Sequence, residues 1–424
     1  SHVYNSIIVD IRDKEYFEKA GYKMKYDATR KTTVDAWREF RNKCSKRALV
    51  IMPVQTGELR EFAIKNNLFV LNLNKELGDA GAGQNISLLE EVLAWLEPNA
   101  PVYGWEQGVS EDQFVARVSK SGHPMIPCDW SYNHSLLSLL YEKGREQVLP
   151  RIFDPRSIDF KKKKNFVSFF LSDGDNIQWM MQDFASRYYD IPEAEDVKMT
   201  FGLPVATLAM MAPVQFNNLM GLQKQNCSLM EMLGGGYYYV DTYSQDHNRK
   251  TNLRVAAKRL AVSMRQYQIK LLGIMAMDVK SEAAKEAYQV YVDANDQLEG
   301  IVVLQYSPYA GGEGEVFWVT NKAGYDIPVI TVKYSLWDRI HEREGSPDFI
   351  ASKLKEEAQE ESFSVVCVHA WSRFEGDTYG ASAAKRCAER LDDRFEAINM
   401  QELVWRLRMR RRPEQTLDYL NKIY

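Results

Sequence analysis

The chain has 424 residues, room for several domains of roughly 100–200 residues each, which excludes a small disulfide-stapled fold. Its 54 Lys+Arg against 58 Asp+Glu leave a net charge of −4, so no overall positive field is available to hold nucleic acid or an anionic membrane. With 45% hydrophobic residues, 23 Tyr and 9 Trp, the composition is globular and rich in the flat rings that sugar binding uses, although any single ring could equally be core.

The opening third alternates short apolar runs with amphipathic stretches: residues 6–11, a helical 33–43, 48–53, a helical 57–66, 68–73 and a helical 87–96. That alternation predicts βαβ units. A further unit follows as residues 101–105, a helical 110–122 with Ser110 and Gln113 as its capping box, and 124–134. The run Lys161 to Lys164 is the sharpest compositional break in the chain, so the boundary is placed there. Residues 1–160 are expected to form an N-terminal α/β region, with an internal break near 75–85, and residues 161–424 a second domain.

From residue 165 the alternation resumes on a larger scale, with strands predicted at 165–171, 198–203, 236–241, 270–277, 300–306, 327–334, 364–371 and 395–400. Helical segments at 254–267, 282–295 and 348–361 separate several of them. The fold class is therefore α/β, with βαβ-type units followed by a distorted (β/α) barrel. The uncharged stretch from Met199 to Gln223 is interrupted by Pro204, Pro213, Gln215 and two asparagines, and reads as buried globular structure rather than a membrane span. The basic RLRMRRR of 406–412 reads as an exposed face of the last long helix.

The five cysteines, at 44, 128, 227, 367 and 387, contain no CxxC pair, so neither a zinc site nor a redox motif is written here. No phosphate or dinucleotide fingerprint is present, and no cofactor is expected. The turn Asp173, Asp175, Asn176 could hold a divalent metal through oxygens, but no ligand motif completes it.

In such barrels the chemistry sits where the strands end. The predicted strands end in Asp173, Asp175 and Asn176, in Asp241, in Tyr306 and Tyr309, in Trp337, and in His369 with Trp371. Carboxylates supply acid and base or nucleophile, and aromatic faces stack on sugar rings. Either aspartate of the first turn could instead cap the helix that follows, and His369 could be a core histidine. From the first domain, Asp129, Trp130 and His134 follow a short strand and could reach the mouth. The loop Gly311 to Glu315 reads as an exposed turn.

Three glycines and three tyrosines stand in succession at 234–239, and Gly234, Gly236, Tyr237 and Tyr239 reproduce most of the GxGYxYP signature. In this, in SDGDN at 172–176 and in PCDWSYNHS at 127–135, the chain resembles the GxGYxYP glycoside hydrolase family over most of its length. The signature's proline is replaced by Val240. The resemblance implies a bacterial protein of polysaccharide breakdown, secreted, periplasmic or at the cell surface, acting on carbohydrate, and it implies no protein partner. It implies Asp173 and Asp175 as acid/base or nucleophile, Asp241 as the alternative second carboxylate, and Glu231 and Glu106 in reserve, while His369 is a catalytic candidate from its place at a strand end. Asn176, Gly236, Tyr237, Tyr239, Asp129, Trp130, His134, Tyr306, Trp337 and Trp371 would bind substrate.

Two other functions compete with hydrolysis. A non-catalytic glycan-binding protein would keep the barrel and the aromatic platform without turnover. A metal-dependent carbohydrate deacetylase would use the same Asp-rich turn, but the six histidines contain no pair at helical spacing.

Overall fold

The computed structural model describes residues 9–52, 57–73, 86–105, 110–141, 147–151, 153–174, 176–245, 248–307, 309–340 and 344–424. Two parallel sheets organise them. The first has strands β1 (Ser45–Ile51), β2 (Leu68–Leu71), β3 (Val102–Gly104) and β4 (Met125–Ile126) in the order β2-β1-β3-β4. Helices Arg60–Asn66, Ile86–Trp95 and Glu111–Lys120 make the crossovers, as the alternation predicts. Residues 6–8 lie outside the described residues, and Ile11–Asp13 form a helical turn rather than the expected strand end. Ser110 caps the third of these helices by backbone position, but its side chain makes no capping bond, so the expected capping box does not form.

The second sheet carries β5 (Asn165–Leu171), β6 (Thr200–Leu203), β7 (Ser228–Met232), β8 (Leu271–Ala276), β9 (Gly300–Gln305), β10 (Val316–Thr320), β11 (Asp326–Thr331), β12 (Tyr334–Leu336), β13 (Phe363–Val368) and β14 (Phe395–Ala397). Its path runs β10-β11-β9-β8-β7-β6-β5-β13-β12, with β14 beside β5 and only β10 antiparallel. β11, next to one end of that path, and β12, at the other end, are neighbours in sequence. Val332 N–H donates to Val303 O at 3.3 Å and Lys333 N–H to Val365 O at 3.2 Å. One bent segment thus passes from β9 to β13 and curls the sheet into a distorted barrel.

Strand residues of one parity, including Val167, Phe169, Leu171, Ile274, Val303 and Val366, pack with helix residues such as Ala284, Ile350 and Ala384. The opposite parity, including Phe170, Met232, Met275, Leu304 and Cys367, faces inward with Leu403, Val404 and Leu407 of helix Met400–Arg411, which plugs the amino ends. Burial on both faces is why these strands read as continuous apolar runs. No described helix is long and apolar enough to cross a membrane.

Three expectations are corrected. Residues 236–241 are not a barrel strand: that position belongs to β7, while the tyrosine segment makes single bridges, Tyr237 to Met125 and Tyr239 to Met275. The run expected at 327–334 is split between β11 and β12 by the bend that closes the barrel. The arginines of 406–412 are not all solvated, since Arg406 and Arg408 are buried. Arg406 pairs with Glu402 at 2.8 Å and lies over Phe166, while Arg408 lies over Trp405 and Tyr419.

Candidate active site

The carboxyl ends of β5, β9, β12 and β13 meet at one mouth. Asp173 follows β5 at a φ of 62°, a left-handed backbone that asparagine and aspartate tolerate best after glycine. Gly174 follows because its backbone runs against Gly202 of β6, where a Cβ would overlap the carbonyl. Asp173 Oδ2 accepts from the Ser172 hydroxyl and from Ala370 N–H at 3.2 Å. Its Oδ1 lies 3.9 Å from His369 Nε2.

His369 follows β13 and stacks on Trp337, with ring centroids 4.4 Å apart and planes 11° from parallel. Its Nδ1 lies 2.9 Å from Ser372 Oγ. Tyr309 sits 4.9 Å from Trp337, and Tyr306 lies 6.1 Å from Tyr309 and 5.7 Å from Tyr239. Trp371 is exposed and leans on Trp179 at 4.8 Å.

A carboxylate absent from the sequence expectation completes this mouth. Glu111 opens helix Glu111–Lys120 of the first sheet, and its Oε1 accepts from the Tyr237 hydroxyl at 2.7 Å. Burial pushes its carboxyl above the usual range, Tyr237 pulls it down, and the Asp173 charge adds to the upward push. The Tyr306 phenol is pushed up first by burial, then by the charges of Glu111, Asp112 and Asp173. These groups therefore share one electrostatic environment.

The chain matches the GxGYxYP putative glycoside hydrolase C-terminal domain over residues 163–408 and the GxGYxYP third domain over residues 46–139. The chain belongs to the GxGYxYP family. No curated protein matches it. Among solved structures it is similar to a putative hydrolase from Bacteroides thetaiotaomicron, at 17% identity and a TM-score of 0.76, covering 94% of this chain and 73% of that one. A probable polysaccharide deacetylase from Pseudomonas aeruginosa matches at 11% identity and a TM-score of 0.35, over 64% of this chain and 99% of that one.

The GxGYxY motif of this family member joins the two sheets. Gly236 has a φ of 143°, and a Cβ there would stand 2.5 Å from Pro124 Cβ. Tyr237 N–H donates to Met125 O at 2.6 Å, Met125 N–H returns the bond at 3.0 Å, and Tyr239 N–H donates to Ser119 Oγ at 3.1 Å. Tyr237 and Tyr239 are buried, with Tyr237 stacked on Trp105 at 6.4 Å, so neither face is open to a sugar ring. Val240, in the proline position, donates its N–H to Met275 O at 2.9 Å, a bond proline could not make.

The remaining predicted residues divide. Asn176 bonds back to Asp173 O at 3.3 Å, and Gln178 Nε2 donates to Asp129 Oδ1 at 3.2 Å, which ties the segment after β4 of the first sheet to the Asp173 turn. Burial pushes the Asp129 carboxyl up. Trp130 beside it is exposed. His134 is instead buried beside the first sheet, against Ser131 and edge-on to Phe62 at 6.0 Å, where burial pulls its pKa down.

Asp241 is occupied by structure, accepting from Met277 N–H at 3.1 Å and Asp278 N–H at 2.9 Å. Glu231 faces the helix layer, fully buried, with Oε2 accepting from Ala206 N–H at 2.9 Å. Asp175 and Glu106 lie outside the described residues. Among the described residues no three His, Cys, Asp or Glu side chains gather as a metal site.

A cavity of about 560 Å³ lies elsewhere, at the amino end of β13, lined by Trp318, Lys333, Glu357, Phe363 and Arg411 among others. Its charges are largely paired, as Lys333 with Glu357 at 2.6 Å and Arg412 with Asp326 at 2.9 Å. The reactive groups converge at the mouth instead.

Proposed function

We propose that this protein is a glycoside hydrolase acting on a poly- or oligosaccharide, with Asp173 and Glu111 as its working carboxylates. The observation that carries the proposal is the continuous run of contacts from Asp173 through His369, Trp337, Tyr309, Tyr306 and Tyr239 to Tyr237 and its partner Glu111, which sets both carboxylates on one mouth walled by aromatic rings. Glycoside hydrolysis needs one carboxyl that keeps its proton and one that stays ionised, set apart by their surroundings. Half-buried Glu111, its carboxyl pushed up by desolvation, suits the acid that protonates the leaving oxygen. Asp173, with Oδ2 held by Ser172 and Ala370 and Oδ1 left toward His369, suits the base or nucleophile at the sugar carbon.

Water supplies the second product group, so the reaction needs no cofactor. Exposed Trp371 and half-buried Trp337 and Tyr306 offer the rings on which sugars would stack. Polysaccharides do not cross membranes, so the enzyme is placed outside the cytoplasm of a bacterium. Residues 1–160 and 161–424 form its two domains, each contributing one carboxylate.

The test is product release from a panel of plant, host and microbial glycans, read by chromatography and mass spectrometry. Wild type should release shortened oligosaccharides, and Asp173→Asn and Glu111→Gln should each lose about 10²–10⁴-fold. Glycan binding without cleavage by wild type on every panel member would overturn the proposal in favour of a lectin-like protein.

A further inference from the structure

We infer that Asp338, acting through the Ser372 hydroxyl, fixes His369 in the tautomer that protonates Nδ1 and leaves the Nε2 lone pair facing Asp173. The inference deepens the hydrolase reading, in which His369 flanks Asp173. Asp338 and Ser372 are positioning residues in this scheme, since neither needs to touch substrate.

A serine hydroxyl has one proton to give and two lone pairs to fill. Ser372 Oγ, on a fully buried side chain, has three polar neighbours: Asp338 N at 3.1 Å, Asp338 Oδ1 at 3.2 Å and His369 Nδ1 at 2.9 Å. A backbone N–H can only donate, so Asp338 N fills one lone pair. A carboxylate oxygen can only accept, so the single hydroxyl proton goes to Oδ1. Were that proton turned toward His369, two oxygens would face each other at 3.2 Å with nothing between them. The remaining lone pair of Oγ then needs a donor, and that donor is Nδ1–H.

The ring is held in plane for this arrangement. Trp337 covers one face of His369. Asp338 is anchored by Arg373 N–H, which donates to its Oδ2 at 3.0 Å. The charged and titratable groups facing the ring are Asp173 from the β5 turn, Asp338 from the β12 turn and Tyr309 from the β9 connection. With Nδ1 committed, the Nε2 lone pair faces the mouth, 3.9 Å from Asp173 Oδ1. Such an orienting contact on the far nitrogen is how proteins choose which imidazole atom reacts.

The experiment is nitrogen NMR of the full chain labelled at histidine, above the pH at which the imidazoles are neutral, with His369 assigned by the signal lost in His369→Gln. Wild type should show Nδ1 protonated and Nε2 as the lone-pair nitrogen. In Asp338→Asn the side-chain amide can donate to Ser372 Oγ, both lone pairs fill, and the hydroxyl must turn to Nδ1. The majority tautomer should therefore invert to Nε2–H, while the other histidine signals report an intact fold. Ser372→Ala should abolish the preference for Nδ1–H.

A wild-type His369 with Nε2 protonated would overturn the inference, as would a tautomer unchanged in both variants. The readout does not depend on turnover. Failure to cleave any glycan would refute the hydrolase reading and leave this result standing, and the reverse outcome is equally readable.

Discussion

Tyr237 donates its phenolic hydrogen to Glu111 Oε1 at 2.7 Å, joining the first residue of a helix on one sheet to a motif tyrosine that follows a strand of the other. The bond lowers a carboxyl that burial otherwise raises. It makes the family motif an electrostatic neighbour of the mouth rather than a surface for sugar.

That bond predicts a direction for the pH profile. A general acid works while protonated, so activity should fall as pH rises through the Glu111 pKa. Tyr237→Phe removes a donor that favours the ionised form, so the pKa rises and the alkaline limb should move to higher pH. A limb displaced to lower pH, or unmoved, in a pH–rate profile would show that Glu111 is not the acid.

Asp241 provides the contrasting case. Both its oxygens are taken by the backbone after β8, so Asp241→Asn should lose about 1–3 kcal/mol of stability in denaturant unfolding while the folded enzyme keeps its turnover. Loss of turnover at unchanged stability would return Asp241 to the catalytic set.

Gly236 should not tolerate a side chain. Its φ of 143° and the Pro124 atom waiting 2.5 Å from a Cβ predict that Gly236→Ala costs about 1–3 kcal/mol or more and loosens the seam between the sheets. Thermal melting and limited proteolysis across 130–165 would report it, and a wild-type melting temperature would count against the seam.

Glu231 predicts a pH-dependent stability. Desolvation pushes its carboxyl up to about 8 from 4.5, with the Ala206 N–H pulling slightly the other way. The folded state therefore holds a proton that the unfolded state releases, and its stabilising share is complete below about pH 4.5 and lost as pH climbs toward about 8. At roughly 1.4 kcal/mol per unit, Glu231→Gln should gain several kcal/mol over wild type at pH 8 relative to pH 5. Parallel stability curves for the two proteins would refute the buried acid.

Much of this architecture is legible in the sequence, because strands buried on both faces write themselves as apolar runs such as 165–171 and 300–306. The β7 position was misread for a physical reason. Ser228–Met232 carries a charged residue, Glu231, within only five residues, whereas the tyrosines at 237–239 have the stronger strand propensity but are pinned by one bridge on each side.

Asp173, His369, Trp337 and Tyr306 were legible because each directly follows an apolar run. Glu111 was not. In sequence it is an ordinary acidic residue in the first turn of an amphipathic helix, and only the packing of that helix against the tyrosine segment brings it to the mouth. The buried arginines escaped for the same reason, since what covers Arg408 is two aromatic rings of the last two helices.

The most direct test of the hydrolase reading is cleavage in water enriched in heavy oxygen, using whichever glycan the panel identifies. Hydrolysis through Asp173 and Glu111 predicts one labelled oxygen at each new reducing end, shortened chains, and neither in Asp173→Asn. Labelled acetate released from chains of unchanged length would contradict it and assign the mouth to ester or amide cleavage instead.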